Sequence, residues 1–131
     1  MSKGDVFEND LMKLIFQGTA IANVADNASS SPITNLFVSL HTGDPGEAGV
    51  QTTSEANYGA YARVAVARST VGWTIATNTV TPAATISFPA STSGTNTITH
   101  FVVGTLTSAA GKIFYSGTVT PNIVVTSGVT P

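Results

Sequence analysis

The chain has 131 residues, 42% of them hydrophobic and only 9% charged, with a net charge of -2. That length fits one domain, and a hydrophobic, weakly charged chain is not an intrinsically disordered one. Five Lys and Arg against seven Asp and Glu exclude a binder that works by neutralising phosphates, and zero cysteines exclude a disulfide scaffold, a thiolate metal site and a thiol nucleophile.

Residues 5 to 17 are expected to form one helix. Asp5 stands at an N-cap position and Glu8 three residues later completes a capping box. Phe7, Leu11, Leu14 and Ile15 follow the helical period as one apolar stripe, and Gly18 is the expected stop. Asp5, Glu8 and Asp10 interrupt any apolar stretch of the kind a secretory signal needs, and no window approaches a membrane span. The run Asp26 to Pro32 is a loop by composition.

Strand signals follow. Leu36 to His41 is an apolar run that ends at Gly43-Asp44-Pro45-Gly46, a strong turn sequence in which Pro fixes φ and Gly is free to take positive φ. Residues 46 to 57 read as a polar loop, and Tyr61 to Arg68 as the next strand, with Val64 and Val66 on one face and Tyr61 and Arg63 on the other. Trp73 to Ile75, Thr85 to Phe88, Ile98 to Val103, Lys112 to Tyr115 and Ile123 to Val125 are further strands. Turn clusters at Ser91 to Gly94, Ser108 to Gly111 and Thr120-Pro121-Asn122 separate them. Short strands at near-regular spacing predict an all-β fold, a β-sandwich of jelly-roll-like or immunoglobulin-like type, with one short N-terminal α-helix. One β domain is expected over 1–131, with helix and arm in 1–34 and the sandwich in 35–131.

Thr occurs 21 times and replaces the missing charge. Its β-branched side chain suits a pleated surface, and its hydroxyl keeps an exposed face polar. The remaining charge is unevenly placed. All seven acids lie at or before Glu55, and from Ser69 to Pro131 the only charged side chain is Lys112. Interface cores are depleted in charge, so a half-chain of uncharged strands points to an assembly protein.

Candidate chemistry is sparse. His41 with Asp44, Glu47 and Glu55 offers metal-ligand types without a ligand motif; the structural alternative is a His that closes a strand and bonds the turn at Asp44, Pro45 and Gly46. Ser39, His41 and Asp44 contain the residue types of a catalytic triad but lack the Gly-x-Ser-x-Gly elbow. His100 lies inside an apolar strand, where pairing with His41 is open. Arg63 and Arg68 either clamp a carboxylate of a neighbouring subunit or pair within the chain with one of the early acids. Trp73 and Tyr61 either stack on sugars or belong to the core. The expectation is no enzyme, no metal and no cofactor. Phe7, Leu11, Leu14, Ile15, Arg63 and Arg68 are the candidate interface residues.

Four stretches carry a resemblance: Leu36-Phe37-Val38-Ser39-Leu40-His41-Thr42-Gly43-Asp44-Pro45-Gly46-Glu47-Ala48-Gly49, Tyr58 to Val66, Leu14 to Ala20, and Lys112 to Gly117. Together they resemble a family of small tailed-bacteriophage virion proteins, many of them labelled tail fibre proteins. The family's common form has Ala where Gly43 stands here. The resemblance implies a virion component and supplies no catalytic residue. By size and β content it is similar to capsid cement proteins. Such a protein would be made in the host bacterial cytoplasm and would sit on the outer capsid surface. Its partner would be the major capsid protein, it would form homo-oligomers (trimer or dimer), and it would bind neither nucleic acid nor membrane. A tail-associated protein contacting the host surface is the alternative, and it predicts exposed aromatics near Tyr58, Tyr61 or Trp73.

Overall fold

The computed structural model describes residues 5–21 and 32–131; of residues 5 and 7 it describes the backbone alone. Asp5 as a cap, Phe7 in the stripe and the loop from Asp26 to Ser31 lie outside the described residues or side chains. The fold is all-β with antiparallel sheets and one short α-helix near the N-terminus, as expected. Helix α1 spans Asp5–Met12 and runs into a π-helical turn, Lys13–Gln17. The described strands are β1 (Asn35–His41), β2 (Val64–Ala67), β3 (Trp73–Ala76), β4 (Thr79–Pro82), β5 (Asn96–Gly104) and β6 (Ile113–Val125). One sheet has the order β2-β1-β5-β6, and β3 and β4 form a second, two-stranded sheet.

The chain divides into two compact units. The first comprises Met1–Asn35 and Val66–Thr85. Its β3–β4 hairpin turns through Thr77 and Asn78, both at positive φ (47° and 60°), between the paired residues Ala76 and Thr79. Two positive-φ residues between paired strands are the type I′ solution, whose twist matches that of the strands. The helix grips this turn. The Asn78 amide donates to Asn9 Oδ1 at 3.1 Å, Asn9 Nδ2 donates to Asn78 Oδ1 at 2.8 Å, and Asn78 Nδ2 donates to Glu8 at 3.1 Å.

The expected stripe is corrected at its centre. Leu11, Leu14 and Ile15 are half-buried, whereas Phe16 is fully buried against Trp73, edge to face with centroids 4.7 Å apart. The change from i→i+4 to i→i+5 bonding over Lys13–Gln17 shifts the helical phase, so the residue after Ile15 faces inward. Gly18 ends the helix at φ 68°, with its N–H bonded to the Lys13 carbonyl.

The second unit comprises Leu36–Ala65 and Ile86–Pro131. Strands β1 and β5 pair antiparallel from Phe37↔Gly104 to His41↔His100. Leu36, Val38, Leu40, Ile98, Val102, Val103 and Val125 form its core with Ala56, Tyr58 and Phe88. Both β1 and β5 have strand neighbours on each side, and β1 is buried without a break from Val38 to His41, so side chains of both its faces are covered there.

Three sequence expectations are corrected here. Tyr61 to Arg63 precede the strand, because the Tyr61 amide closes a turn onto the Tyr58 carbonyl and only Val64–Ala67 is extended into the sheet. Thr85 to Phe88 form no strand; the Phe88 amide bonds the Pro131 carbonyl instead. Thr120-Pro121-Asn122 is no separating turn. It lies inside β6, where the register with β5 shifts between Ile98↔Ile123 and His100↔Thr118, and the Thr120–Pro121 peptide is cis. Pro is tolerated there because β6 is an edge strand and the ladder is interrupted.

Candidate functional site

The polar groups of the second unit converge on the loop between β1 and β2. His41 ends β1 and is fully buried. Its Nδ1 lies 2.8 Å from the Thr53 carbonyl, which only accepts, so Nδ1 carries the proton. Nε2 is therefore the acceptor, and the Ser39 hydroxyl donates to it at 2.9 Å. Ser39 and His41 share a strand face two residues apart, and the cross-strand neighbour of His41 is His100. Burial holds the His41 pKa below its ordinary value, opposed by the Thr53 bond and by Glu55.

This pair is a serine–histidine contact of the type that activates a nucleophile, yet Ser39 and His41 are both 0% exposed. Asp44 is not its third member. Asp44 Oδ1 accepts from the Gly46 amide at 2.9 Å and shapes the turn, with Gly46 at φ +69° and Pro45 buried. The expected bond from His41 to the Asp44 turn is thus replaced by bonds to Ser39 and Thr53. Gly43 leaves room for a Cβ, which would lie 3.7 Å from Ser54 in ordinary contact.

Glu55 holds a second network. Arg63 Nε and Nη2 donate to its two carboxylate oxygens at 2.6 and 2.7 Å, a bidentate pair, and the Tyr61 hydroxyl donates to Oε1 at 2.9 Å. Tyr61 in turn accepts from the Leu40 amide at 3.1 Å. The remaining Arg63 donors reach the carbonyls of Leu106 and Ala109 at 2.9 and 2.8 Å. The bond to Glu55 holds the Arg63 pKa above its usual value, against the pull of burial. Arg63 therefore takes the intramolecular alternative, with Glu55 as its acid. Burial pushes the Tyr61 hydroxyl well above the ordinary tyrosine range, so it donates at any ordinary pH.

Gln51 is a third element, and sequence reasoning gave no sign of it. Fully buried, its Oε1 accepts from the amides of Thr105 and Leu106 at 3.0 and 2.9 Å. Gly104 and Gly111 make space for it: a Cβ there would fall 2.3 Å from Gln51 Cδ and 2.0 Å from Gln51 Oε1. Asn96 Oδ1 similarly accepts from the amides of Asn57 and Tyr58 at 2.8 and 3.0 Å.

Arg68, in the first unit, is also engaged within the chain. Its guanidinium donates to the carbonyls of Leu14, Ile15 and Ile33, capping the last turn of the helix. Trp73 and Tyr58 are each 3% exposed, and both belong to cores. Tyr61 is half-buried, stacked on Phe88 and edge-on to Tyr58.

A cleft of about 670 Å³ lies between the turn after β1 and the start of β6. Asp44, Glu47 and Lys112 line it, all exposed, beside Val50, Phe114 and Tyr115. Among the described residues no group of three or more His, Asp and Glu converges as a metal site. Among them, too, no helix is long and apolar enough to cross a membrane.

The arrangement binds loops to strands. No curated protein matches the sequence. A family model does, over residues 2–130: it is described as podophage GP4 fiber I protein gp80. The match spans nearly the whole chain, and with it the expectation of a phage virion component stands. The chain belongs to this gp80 family of phage fibre-type structural virion proteins.

Proposed function

We propose that the protein is a capsid cement, or decoration, protein: a non-enzymatic part of the virion that binds the major capsid protein on the outer head surface and clamps neighbouring capsomers. Its copies would act as a homo-oligomer, and many modest contacts repeated by symmetry would supply avidity without one strong site. One observation carries this reading. The second unit contains five charged side chains, Asp44, Glu47, Glu55, Arg63 and Lys112, and two of them neutralise each other inside it. The other three border one cleft, which leaves the rest of the unit a Thr- and Ser-rich surface without charge, suited to being covered. The burial of Ser39 and His41 supports a role without catalysis.

The family's description, a fibre protein, favours a second reading as a tail-associated component that contacts the host surface. That reading asks for aromatic side chains open to glycans; Tyr58 and Trp73 are buried and Tyr61 is half-buried, while Tyr115 is exposed beside the cleft. Copy number and position in the particle separate the two. Cryo-electron microscopy should find this density across the head lattice, with copies on the order of hundreds as icosahedral repetition requires. Density confined to the tail, in a handful of copies, overturns the cement reading.

A further inference from the structure

Strand β6 ends the four-stranded sheet. Its inner edge bonds to β5, and among the described residues no strand pairs with its outer edge. We propose that this outer edge pairs antiparallel with β6 of a second copy, joining two sheets into one across a two-fold axis. The inference does not depend on where in the virion the protein sits.

Edge strands are usually kept apart by short length, charge, proline or bulges. At 13 residues β6 is long, and from Ile113 to Pro131 there is no charged side chain. That neutrality selects the occupant. In a two-fold pairing, residues near the axis face themselves or their near neighbours, so a charge there would meet its own copy. An uncharged strand is what self-pairing requires, and an identical antiparallel strand presents donors to acceptors by symmetry.

The pairing segment is the first half of β6. The ladder with β5 is unbroken from Tyr115 to Thr118, through Val103↔Tyr115, Val102↔Ser116, Phe101↔Gly117 and His100↔Thr118, and a register shift at Phe114 separates it from Gly104↔Ile113. Beyond it the register breaks and Pro121 has no N–H to give. The Phe101 ring lies over Gly117, where a Cβ would come within 2.7 Å of it. With the axis at Ser116, Lys112 faces Thr120 of the second copy. The two lysines are then eight residues apart along the ladder, about 27 Å at the usual strand rise, well beyond electrostatic reach in physiological salt.

The full chain, measured by analytical ultracentrifugation at micromolar concentration, should sediment as a dimer. The double variant Ser116→Lys/Thr118→Lys alters two exposed positions and should be monomeric, with unchanged circular dichroism and a melting point that no longer depends on concentration. Because the chain has no cysteine, Ser116→Cys, which meets its own copy at the axis, should give a covalent dimer under mild oxidation, while the exposed Thr118→Cys, about 14 Å from its own copy along the ladder, and the exposed Val71→Cys should not. A monomeric wild type, or any oligomer that survives the two lysines, overturns the proposal. If the lysine variant misfolds, the cysteine variant at the axis decides: no covalent dimer through position 116 overturns it.

Discussion

Replacing Glu55 by Ala should cost the protein about 3–5 kcal/mol, the range for removing one partner of a buried ion pair. The size follows from what is left behind. The Arg63 side chain is 3% exposed and that of Glu55 15%, so water reaches neither charge freely. Without the carboxylate, Arg63 keeps the Leu106 and Ala109 carbonyls but loses two charge-assisted bonds and its counter-charge. Tyr61 loses its acceptor as well. Tyr61→Phe alone should cost less, about 1–3 kcal/mol, because it strands the Leu40 amide without stranding a charge.

Urea unfolding of Glu55→Ala, Arg63→Met and the double variant, compared at a common m-value, measures these terms. The double variant should lose far less than the sum of the single losses, since taking away both partners leaves no buried charge. A Glu55→Ala loss below about 1 kcal/mol, the level of an exposed pair, would refute the reasoning. Additive single losses would refute it equally.

Three further outcomes are expected. Burial lowers the His41 pKa, so the unfolded chain takes up a proton that the folded chain refuses; stability should be full above about pH 6.5 and fall below it, by at most about 1.4 kcal/mol per pH unit for this one proton. Urea midpoints across pH check this, and His41→Asn should flatten the acid limb. Gly104→Ala should cost about 1–3 kcal/mol by driving a Cβ into buried Gln51, whereas Gly46→Ala meets no atom within 4 Å and should cost only the strain of its positive φ, about 1 kcal/mol. Arg68→Met should cost about 1–2 kcal/mol and speed hydrogen exchange at Gly18 and Thr19, because the Leu14 and Ile15 carbonyls in the last helical turn lose their donor, as does the Ile33 carbonyl.

The apolar strands were legible because their pattern is local. Leu36 to His41, Trp73 to Ile75 and Ile98 to Val103 all lie within observed strands. Strand β4 was not, since Thr79-Val80-Thr81-Pro82 has one apolar residue inside a polar run; pairing with β3 and a turn at positive φ make it a strand. Thr85 to Phe88 alternates just as well but finds only a single bond to Pro131. Periodicity reports a face and says nothing of whether a partner edge is within reach. The helix stripe missed Phe16 for a similar reason, because a π turn breaks the 3.6-residue phase without a compositional mark.

The polar networks were legible only as residue types. An early acid was an open partner for Arg63, but the choice of Glu55 depends on a loop that folds back beside His41, where the two residues form a bridge. Gln51 in a Thr-rich loop looks like any exposed amide. Its role rests on two glycines more than fifty positions away, which no spacing rule connects.

Scarce charge therefore has two separate causes in this chain. Several of the charges present are spent inside it: Glu55 and Arg63 tie loops to β1, Arg68 closes the helix, and Glu8 holds the hairpin turn. Each replaces what a larger core would otherwise do for a small domain with long loops. The missing charges concern the outside. A strand such as β6 gains nothing in stability from being neutral, because surface substitutions away from special features change stability little. Its neutrality is informative for that reason. Selection for folding leaves such positions open to Lys or Glu, whereas selection for being covered does not, so a second half whose only charge is Lys112 is the ground on which the proposed contact rests.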